Sequence, residues 1–561
     1  MTEAPLIVQA DGAVLLETQH VEYEAAREQL AKFAALEKSP EYVHFYRITP
    51  ISIWNAAALG ERAEHVLTWL EANARFPVAK QVTEQIAEWF RRYGLLRLER
   101  VDDERLRLRC SDKQLLEEIT DSPQLAELLE FGARGALFVA AADRGQVKQA
   151  LVRLGYPVDD RGGYRDGVDL PFELSQRRGF GLRDYQAAAA AAFHRGGSVE
   201  GGCGVVVLPC GAGKTVVGIA AMHLLQTNTL VLTTNTVAVR QWVREILDKT
   251  DLGEDQVGEY TGENKQIRSV TVATYQILTH RRGRLDGFTH LDLFDRGGFG
   301  LIIYDEVHLL PAPVFRATAG IQARRRLGLT ATLVREDGRQ DEVFSLIGPK
   351  RYELPWKHLE RAGFLAVARC FEVRIALGVE RRQRYQRATA RNQIRIASDN
   401  ERKNDVVGRL LRRHAKDRVL VIGQYLDQLR TLSGLFGIPL ITGQTKNEER
   451  DRLYAEFRAG SLPHLIVSKV GNFAIDIPDA NVAIQVSGTF GSRQEEAQRL
   501  GRVLRPKADG GAASFYTLVS EDTREQDFAA KRQLFLTEQG YSYEIQADES
   551  CGDAEVQEAG R

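Results

Sequence analysis

The stretch that most constrains the fold is an apolar run, residues 205–208, followed by a glycine-rich turn that ends in Gly-Lys-Thr. A helical pattern over residues 216–225 comes directly afterwards. In the order strand, turn, helix, the backbone N–H groups of the turn and the helix N-terminus point at one place, which suits a phosphate chain. The strict pattern has Gly where Leu208 stands, but the Gly-x-Gly-Lys-Thr core remains. The sequence therefore predicts a phosphate-binding loop rather than an ordinary βα turn.

Each residue type in this loop has a chemical reason to be there. Gly211 and Gly213, with Ala212 between them, allow the backbone to wrap a β-phosphate. Lys214 reaches the β- and γ-phosphate oxygens, and Thr215 presents a hydroxyl to Mg²⁺. The predicted ligands of the loop are therefore a nucleoside triphosphate and Mg²⁺.

A second buried-strand pattern, residues 301–304, ends in Asp305 and Glu306. A carboxylate at the carboxyl end of such a strand can hold Mg²⁺, and its neighbour can orient an attacking water. An Asp-Glu pair alone is also found in solvated loops. Several βα units downstream of a Lys-Thr turn, however, it predicts a nucleotide-hydrolysis site in which Lys214, Asp305 and Glu306 are catalytic.

Other strand patterns in this part of the chain also end in polar side chains. They end near Asn235, Thr274, Thr330 and Thr332. Ligands of a doubly wound sheet bind at the carboxyl ends of its strands. We therefore interpret residues 176–368 as one parallel α/β nucleotide-binding domain.

Two polar residues precede the phosphate loop at the start of an alanine-rich helical pattern. They are Arg183 and Gln186. A Gln in this position can pair with the edge of an adenine, although a Gln on a helix is common. The pair is therefore predicted to bind the nucleotide, which makes ATP the expected cofactor.

A second series of strand and helix patterns covers residues 369–545 and has no phosphate loop. Its helical stretch near residue 500 contains Gln498, Arg502 and Arg505. The two arginines are three residues apart and share one helix face. Such guanidinium groups suit phosphate oxygens supplied by another domain, although a solvated basic helix end has the same pattern. The two series predict tandem doubly wound parallel-sheet domains with ATP between them, and Arg502 and Arg505 as catalytic residues.

The chain before residue 176 has a mixed α/β pattern. Apolar residues lie at broadly helical spacing over residues 20–37. Three short helical patterns and a strand at residues 95–98 follow, which is the order of a winged-helix module. We place this helical domain at residues 1–99 and a small α/β domain at 100–175. Residues 546–561 are acidic and poor in apolar side chains, which predicts disorder.

Composition limits the remaining possibilities. The formal net charge is −1, so any nucleic-acid surface must be local. Residues 372–418 are locally basic, with 14 Lys and Arg against 6 Asp and Glu, which fits a nucleic-acid path or equally a solvated helical face. The five cysteines have no zinc-site spacing, and no apolar run of 18 residues occurs. We therefore expect a cytoplasmic protein that is neither exported nor membrane-spanning.

Taken together, the motifs resemble those of superfamily two helicases, and closely those of the XPB family, named for xeroderma pigmentosum group B. The resemblance is carried by residues 208–215, 305–308, 329–332 and 498–502. It extends to the Arg-Glu-Asp triplet at residues 335–337. The family implies two RecA-like domains and an ATP-driven 3′-to-5′ DNA helicase or duplex translocase linked to DNA repair. It also implies a damage-recognition-like domain at 100–175 and a short thumb-like segment near 380–403.

The resemblance also implies roles for individual residues and partners. Asp476 and Gln498 would contact the nucleotide, and three residues would couple hydrolysis to movement: His308, Thr330 and Thr332. Nucleic-acid contacts would come from Asn235, Arg240, Thr274, Arg335 and Thr442. The expected partners are DNA, as single strands and duplex junctions, and a nuclease or another repair protein. The expected location is the cytoplasm, in association with the nucleoid.

Two other classes of function share these motifs. One is a regulatory scaffold that binds ATP without moving, although such a scaffold has no need to keep Lys214, Glu306 and Arg502 together. The other is an RNA helicase, because phosphate contacts do not distinguish DNA from RNA. Comparing ATP turnover with single-stranded DNA, duplex DNA and RNA separates these classes.

Overall fold

The structure is a computed structural model, and it describes most of the 561 residues. The described residues are 4–39, 42–102, 104–132, 135–164, 166–175, 180–209, 211–278, 280, 290, 293–310, 314, 324–331, 340–364, 366–468, 480–488, 512–538, 541 and 543–548. They divide into two compact units, one made mainly of residues 1–354 and the other mainly of residues 355–561. Within the ranges just given, no helix has both the length and the apolar character needed to span a bilayer.

The first unit begins with a four-stranded sheet and four helices. Their bounds are β1 (Leu6–Val8), β2 (Ala13–Glu17), α1 (Tyr23–Phe33), β3 (Ala35–Lys38), β4 (Val43–Arg47), α2 (Pro50–Ala58), α3 (Ala63–Asn73) and α4 (Lys80–Arg92). The sheet has the order β1-β2-β4-β3. The helical prediction over 20–37 was too long: α1 ends at Phe33 and the chain continues as β3. Ala34 has extended backbone angles, and strand pairing here overrides a weak helical periodicity.

A second small α/β module follows. Its elements are β5 (Leu96–Arg100), β6 (Arg105–Cys110), α5 (Lys113–Asp121), α6 (Pro123–Ala126), β7 (Leu129–Phe131), β8 (Leu137–Ala140), α7 (Arg144–Arg153) and β9 (Val158–Arg161). The strands form one sheet in the order β7-β8-β6-β5-β9. Leu96 and Leu98 are buried in the core of this module, and β5 pairs with β6 and β9. The strand expected as the wing of the N-terminal helices therefore belongs to the second sheet, so the winged-helix interpretation of this strand was wrong.

The third part of the first unit is a parallel α/β domain. Its elements are α8 (Asp184–His194), β10 (Cys203–Val207), α9 (Lys214–Leu225), β11 (Thr229–Thr233), α10 (Thr236–Lys249), β12 (Val257–Tyr260), β13 (Val270–Thr274), α11 (Tyr275–Leu278), α12 (Leu293–Arg296), β14 (Leu301–Asp305), β15 (Arg325–Thr330), α13 (Gln340–Leu346) and β16 (Lys350–Glu353). The seven strands lie in the order β12-β13-β11-β14-β15-β10-β16, and the registered pairs are all parallel. Strand β10 therefore lies beside β15, and β14 beside both β15 and β11. This order brings the ends of β10, β14 and β15 together at one edge of the sheet.

The parts of the first unit are held together by side chains and by backbone pairing. Trp54 of the N-terminal helices, Val152 of the second module and Phe344 of the parallel domain form one buried apolar cluster. The connecting segment 166–175 runs along the parallel domain, where the Val168 N–H donates to the Gly298 carbonyl over 2.8 Å. These contacts make the first unit one compact body.

The second unit repeats the parallel architecture. Its elements are α14 (Trp356–Arg361), β17 (Ala368–Ile375), α15 (Val379–Arg387), α16 (Ala390–Ser398), α17 (Arg402–Arg413), β18 (Val419–Gly423), α18 (Leu426–Phe436), β19 (Leu440–Ile441), α19 (Asn447–Ala459), β20 (His464–Ser468), β21 (Val482–Gln485), β22 (Ala513–Ser520), α20 (Arg524–Glu538) and β23 (Tyr543–Ala547). The seven strands have the order β19-β20-β18-β21-β22-β17-β23 and pair in parallel. The predicted fold class, two tandem RecA-like α/β domains after a mixed α/β region, is confirmed.

Candidate nucleotide-hydrolysis site

The predicted phosphate loop lies between the buried strand β10 and helix α9. Gly211 and Gly213 have φ angles of 84° and 81°, which favour glycine. A Cβ atom at Gly213 would lie only 2.5 Å from the Gln186 Nε2 atom. Ala212 is buried, and Lys214 and Thr215 begin α9 with partly exposed side chains. The glycines therefore permit a tight turn that presents the first residues of α9 at the edge of the sheet.

Gln186 is packed against this loop by a helix cap. Its Oε1 atom accepts a hydrogen bond of 3.0 Å from the Arg183 backbone N–H at the start of α8. The cap orients the side-chain amide so that Nε2 faces Gly213. The Arg183 guanidinium donates to the Tyr185 hydroxyl over 3.1 Å. The structure thus brings Gln186 to the loop, and the adenine contact of this pair stays a prediction.

Lys214 and Glu306 form the central ion pair of the site. The Lys214 Nζ atom lies 3.0 Å from Glu306 Oε1, and both side chains are largely buried. Burial alone would raise the pKa of Glu306, but the charges of Lys214 and His308 outweigh burial, so the pKa is lowered. Glu306 also has φ of 52°, a left-handed conformation that costs a non-glycine residue about 1–3 kcal/mol and is typical of functional sites. The carboxylate is therefore held ionised, at a position fixed by the fold.

Asp305 is the last residue of β14 and is held by two aromatic residues. Its Oδ2 atom accepts a hydrogen bond of 2.9 Å from the Trp242 Nε1–H, and its carbonyl accepts one of 2.9 Å from the Tyr275 hydroxyl. Burial, followed by the neighbouring Glu306 carboxylate, raises the pKa of Asp305 to about 6. A buried carboxylate in this state gains from a nearby cation. Neither Trp242 nor Tyr275 was predicted from the sequence, because no local pattern marks a residue that contacts the site from another strand or helix.

His308 connects Glu306 to the next strand. Its Nδ1 atom lies 3.5 Å from Glu306 Oε2 and 2.6 Å from the Thr330 Oγ1 atom. Thr330 is fully buried at the end of β15, and its carbonyl accepts a hydrogen bond from the Leu208 N–H over 3.0 Å. A movement of the Glu306 carboxylate can therefore be transmitted through His308 and Thr330 to Leu208, which directly follows β10 and precedes the phosphate loop. The coupling roles of His308 and Thr330 stay predictions.

The residues present fit a nucleotide and a divalent cation. Glu306 Oε2 is buried and accepts no hydrogen bond from the residues that the structure describes. The same residues contain no group of three or more His, Cys, Asp and Glu side chains that could hold a metal by themselves. This donor set suits Mg²⁺, which is usually bound by one or two carboxylates together with substrate phosphates and water. Thr215 and Asp305 would hold the cation, and the unused Glu306 oxygen is available to a water.

Among the described nucleic-acid candidates, Asn235, Thr274 and Thr442 lie at or just after strand ends, and Arg240 lies within α10. Several of them already have local partners. Asn235 caps α10, with Oδ1 accepting from the Ala238 N–H over 3.0 Å. Thr274 is buried, and Arg240 lies 3.4 Å from Glu263 at the surface. Thr442 follows β19 in the second unit, and its Oγ1 accepts from the Gln444 N–H over 3.2 Å. Nucleic-acid binding by these residues stays a prediction.

Six predicted site residues lie outside the described part of the chain. They are Thr332, Arg335, Asp476, Gln498, Arg502 and Arg505. Their roles stay predictions from the sequence.

Comparison with protein families assigns most of the chain to helicase models. The model for the ERCC3/RAD25/XPB C-terminal helicase matches residues 359–559. A model for a helicase conserved C-terminal domain matches residues 6–131, and that of the type III restriction enzyme res subunit matches 179–335. The last match covers the phosphate loop and the Asp305-Glu306 pair.

Whole-length relatives agree with these matches. A protein named DNA 3′-5′ helicase XPB from Kineococcus radiotolerans is 52% identical over 97% of this chain and 97% of its own length. The protein of the same name from Mycobacterium tuberculosis is 51% identical over 99% of this chain and 100% of its own. A subunit named general transcription and DNA repair factor IIH helicase/translocase subunit XPB, from Antonospora locustae, is 34% identical over 99% of this chain and 83% of its own.

Proposed function

The chain belongs to the XPB family of DNA helicases, and from this we propose that it is an ATP-driven motor that opens or tracks along DNA with 3′-to-5′ polarity. The observation that carries the proposal is the Lys214–Glu306 ion pair beside Asp305 at the adjoining ends of parallel strands. Hydrolysis of a nucleoside triphosphate needs a phosphate-binding cation, a Mg²⁺ ligand and an oriented water. Lys214 supplies the phosphate-binding cation, Asp305 the Mg²⁺ ligand, and Glu306 the carboxylate that orients the water.

The residues that the structure describes support a separate role for each group in nucleotide hydrolysis. Lys214 would neutralise β- and γ-phosphate oxygens, and it leaves Glu306 for the phosphate when the nucleotide enters. Glu306 remains ionised and can accept a hydrogen bond from the attacking water, which orients the water. His308 stays between Glu306 and Thr330, so a shift of the carboxylate changes a hydrogen bond inside the sheet. Mg²⁺, when bound by Thr215 and Asp305, would neutralise charge that develops on the phosphates.

The remaining roles rest on the sequence. Arg502 and Arg505 are proposed to stabilise charge on the γ-phosphate, and Asp476 and Gln498 to bind the nucleotide. A damage-recognition-like role for residues 100–175 is proposed from the same patterns. We place the protein in the cytoplasm at the nucleoid, acting in DNA repair with a nuclease or another repair protein. The names of the relatives, which include a DNA repair factor subunit, support the repair role.

The function is tested by measuring ATP turnover and strand separation on matched substrates. Turnover is compared with no nucleic acid, single-stranded DNA, duplex DNA and single-stranded RNA. Strand separation is compared on duplexes with a 3′ or a 5′ single-stranded tail. We expect DNA to stimulate turnover more than RNA, and unwinding only from the 3′ tail. Stimulation by RNA alone would indicate an RNA helicase, and ATP binding with no turnover on any substrate would indicate a scaffold.

A local basic surface offers a further prediction about DNA. On α15 and α16, the exposed residues Arg384, Arg387 and Arg391 make no ion pair among the residues for which the structure gives positions. By contrast, the neighbouring Arg381 lies 2.6 Å from Glu401. Reversing the three exposed charges should weaken DNA binding and flatten its salt dependence, by about 0.7–0.9 in log–log slope for each lost phosphate contact. The measurement is the DNA dissociation constant at several salt concentrations.

The control reverses three arginines on other helices of the same unit: Arg430, Arg452 and Arg458. This variant has the same net charge and should keep the wild-type slope. If the two variants have equal slopes, α15 and α16 present only a solvated basic face.

A further inference from the structure

One buried aromatic residue contacts the hydrolysis site from a helix that carries none of its motifs. Trp242 lies in the middle of α10, and its side chain is 1% exposed. The indole Nε1–H donates a hydrogen bond of 2.9 Å to the Asp305 Oδ2 atom. A hydrogen bond to a charged acceptor is stronger than one between neutral groups, and it has a defined direction. The contact therefore restrains the orientation of the carboxylate as well as its position.

The indole ring itself is held from the opposite side by the helix of the phosphate loop. A Cβ atom at Gly218 of α9 would lie only 2.5 Å from the Trp242 Cη2 atom. Gly218 lies four residues after Lys214, which is one helical turn, so both face the same side of α9. The absence of a side chain at this position allows the ring to approach the helix backbone. Trp242 thus connects α9, α10 and the end of β14 through a single rigid side chain.

These two contacts have a chemical consequence for cation binding. A carboxylate that is free to rotate must be ordered when it binds a cation, and that ordering lowers the affinity. Hydrogen-bonded partners of metal ligands remove this cost, and their loss typically lowers metal affinity by about 10–100-fold. Trp242 has the burial, the donor and the fixed ring that such a partner requires.

We propose that Trp242 is a positioning residue, which orients the Asp305 carboxylate for the divalent cation of a bound nucleotide. The inference rests on the proposed function, since it concerns the cation of the same site. In this role Trp242 touches neither nucleotide nor cation. Its effect should therefore appear in the cation dependence of nucleotide binding and be absent from nucleotide binding without the cation.

The test replaces Trp242 by Phe, which keeps an aromatic ring and removes the N–H donor. The matched control is Trp54→Phe, because Trp54 is also 1% exposed and its Nε1–H donates to the Trp89 carbonyl over 3.2 Å, remote from the phosphate loop in sequence. Binding of a fluorescent ATP analogue is titrated with Mg²⁺ and repeated in EDTA. For Trp242→Phe we expect the half-saturating Mg²⁺ concentration to rise about tenfold with affinity in EDTA unchanged. Trp54→Phe should follow the wild-type curves.

A second measurement covers the case in which Trp242→Phe does not fold. The wild-type chain has five tryptophans, so labelling with 5-fluorotryptophan yields few ¹⁹F signals, which are assigned from single substitutions of the other four. The signal of Trp242 should shift when Mg²⁺ is added to the nucleotide-bound protein, and that of Trp54 should not. The inference would be overturned if Trp242→Phe and the wild type gave the same Mg²⁺ titration curve, or if Trp242→Phe and Trp54→Phe raised the half-saturating Mg²⁺ concentration equally. It would also be overturned if the ¹⁹F signal of Trp242 did not move when Mg²⁺ was added. If instead the wild-type protein shows no Mg²⁺-dependent nucleotide binding, it is the proposed function that fails.

Discussion

Replacing Glu306 by Gln is expected to lower ATP turnover by about 10²–10⁴-fold while nucleotide binding is kept. The amide has nearly the same shape as the carboxylate but is neutral, so it cannot accept a proton from the attacking water. It also releases Lys214, which lies 3.0 Å from the Glu306 carboxylate and is then free to meet a phosphate. The measurements are steady-state ATP turnover with DNA present and the dissociation constant of a fluorescent ATP analogue.

Two controls make this result specific. Lys214→Ala should lose turnover and much of the nucleotide affinity, because the phosphate-binding cation itself is removed. Glu263→Gln changes an exposed glutamate to the same amide and should have no effect on either quantity. Wild-type turnover in the Glu306 variant would show that the carboxylate does not act on the water.

Replacing Lys403 by Met is expected to destabilise the chain by about 3–5 kcal/mol, the usual cost of breaking a buried ion pair. The Lys403 side chain is 0% exposed, and Nζ lies 2.9 Å from each Glu525 oxygen and from the Val486 carbonyl. Burial lowers the pKa of Lys403, and the partly compensating attraction comes from Glu525. Among the described residues, the hydrogen-bond donors that the buried carboxylate keeps after removal of the lysine are the neutral Ser520 N–H and Ser398 hydroxyl. The measurement is the urea dependence of unfolding.

The double variant Lys403→Met, Glu525→Gln tests the cause. Since it leaves no unpaired charge, it should recover a large part of the lost stability. At the surface, Arg452→Met breaks the exposed ion pair of Arg452 and Glu456 and should cost about 0–1 kcal/mol. Equal losses from the buried and the exposed pair would contradict a role for burial.

Much of the fold was predictable because its signals are local. Runs of β-branched residues ending in Gly-x-Gly-Lys-Thr or in Asp-Glu specify strand, turn and helix through neighbouring residues alone. The parallel strands β10, β14 and β15 were expected and are present. Where the local signal was weak, prediction failed: residues 35–38 form β3 instead of extending α1, because strand pairing decided their conformation.

By itself, the sequence predicted which residues carry the chemistry: the glycines and Lys214 of the loop, and the Asp305-Glu306 pair. Only the tertiary structure decided what surrounds them. Trp242 lies 63 residues before Asp305 in the chain, and Gln186 meets the loop at Gly213 through a cap on another helix. Such contacts depend on the order of strands in the sheet and on helix packing over its faces. Local periodicity does not contain that order, because it arises from long-range burial that is satisfied only when the whole domain folds.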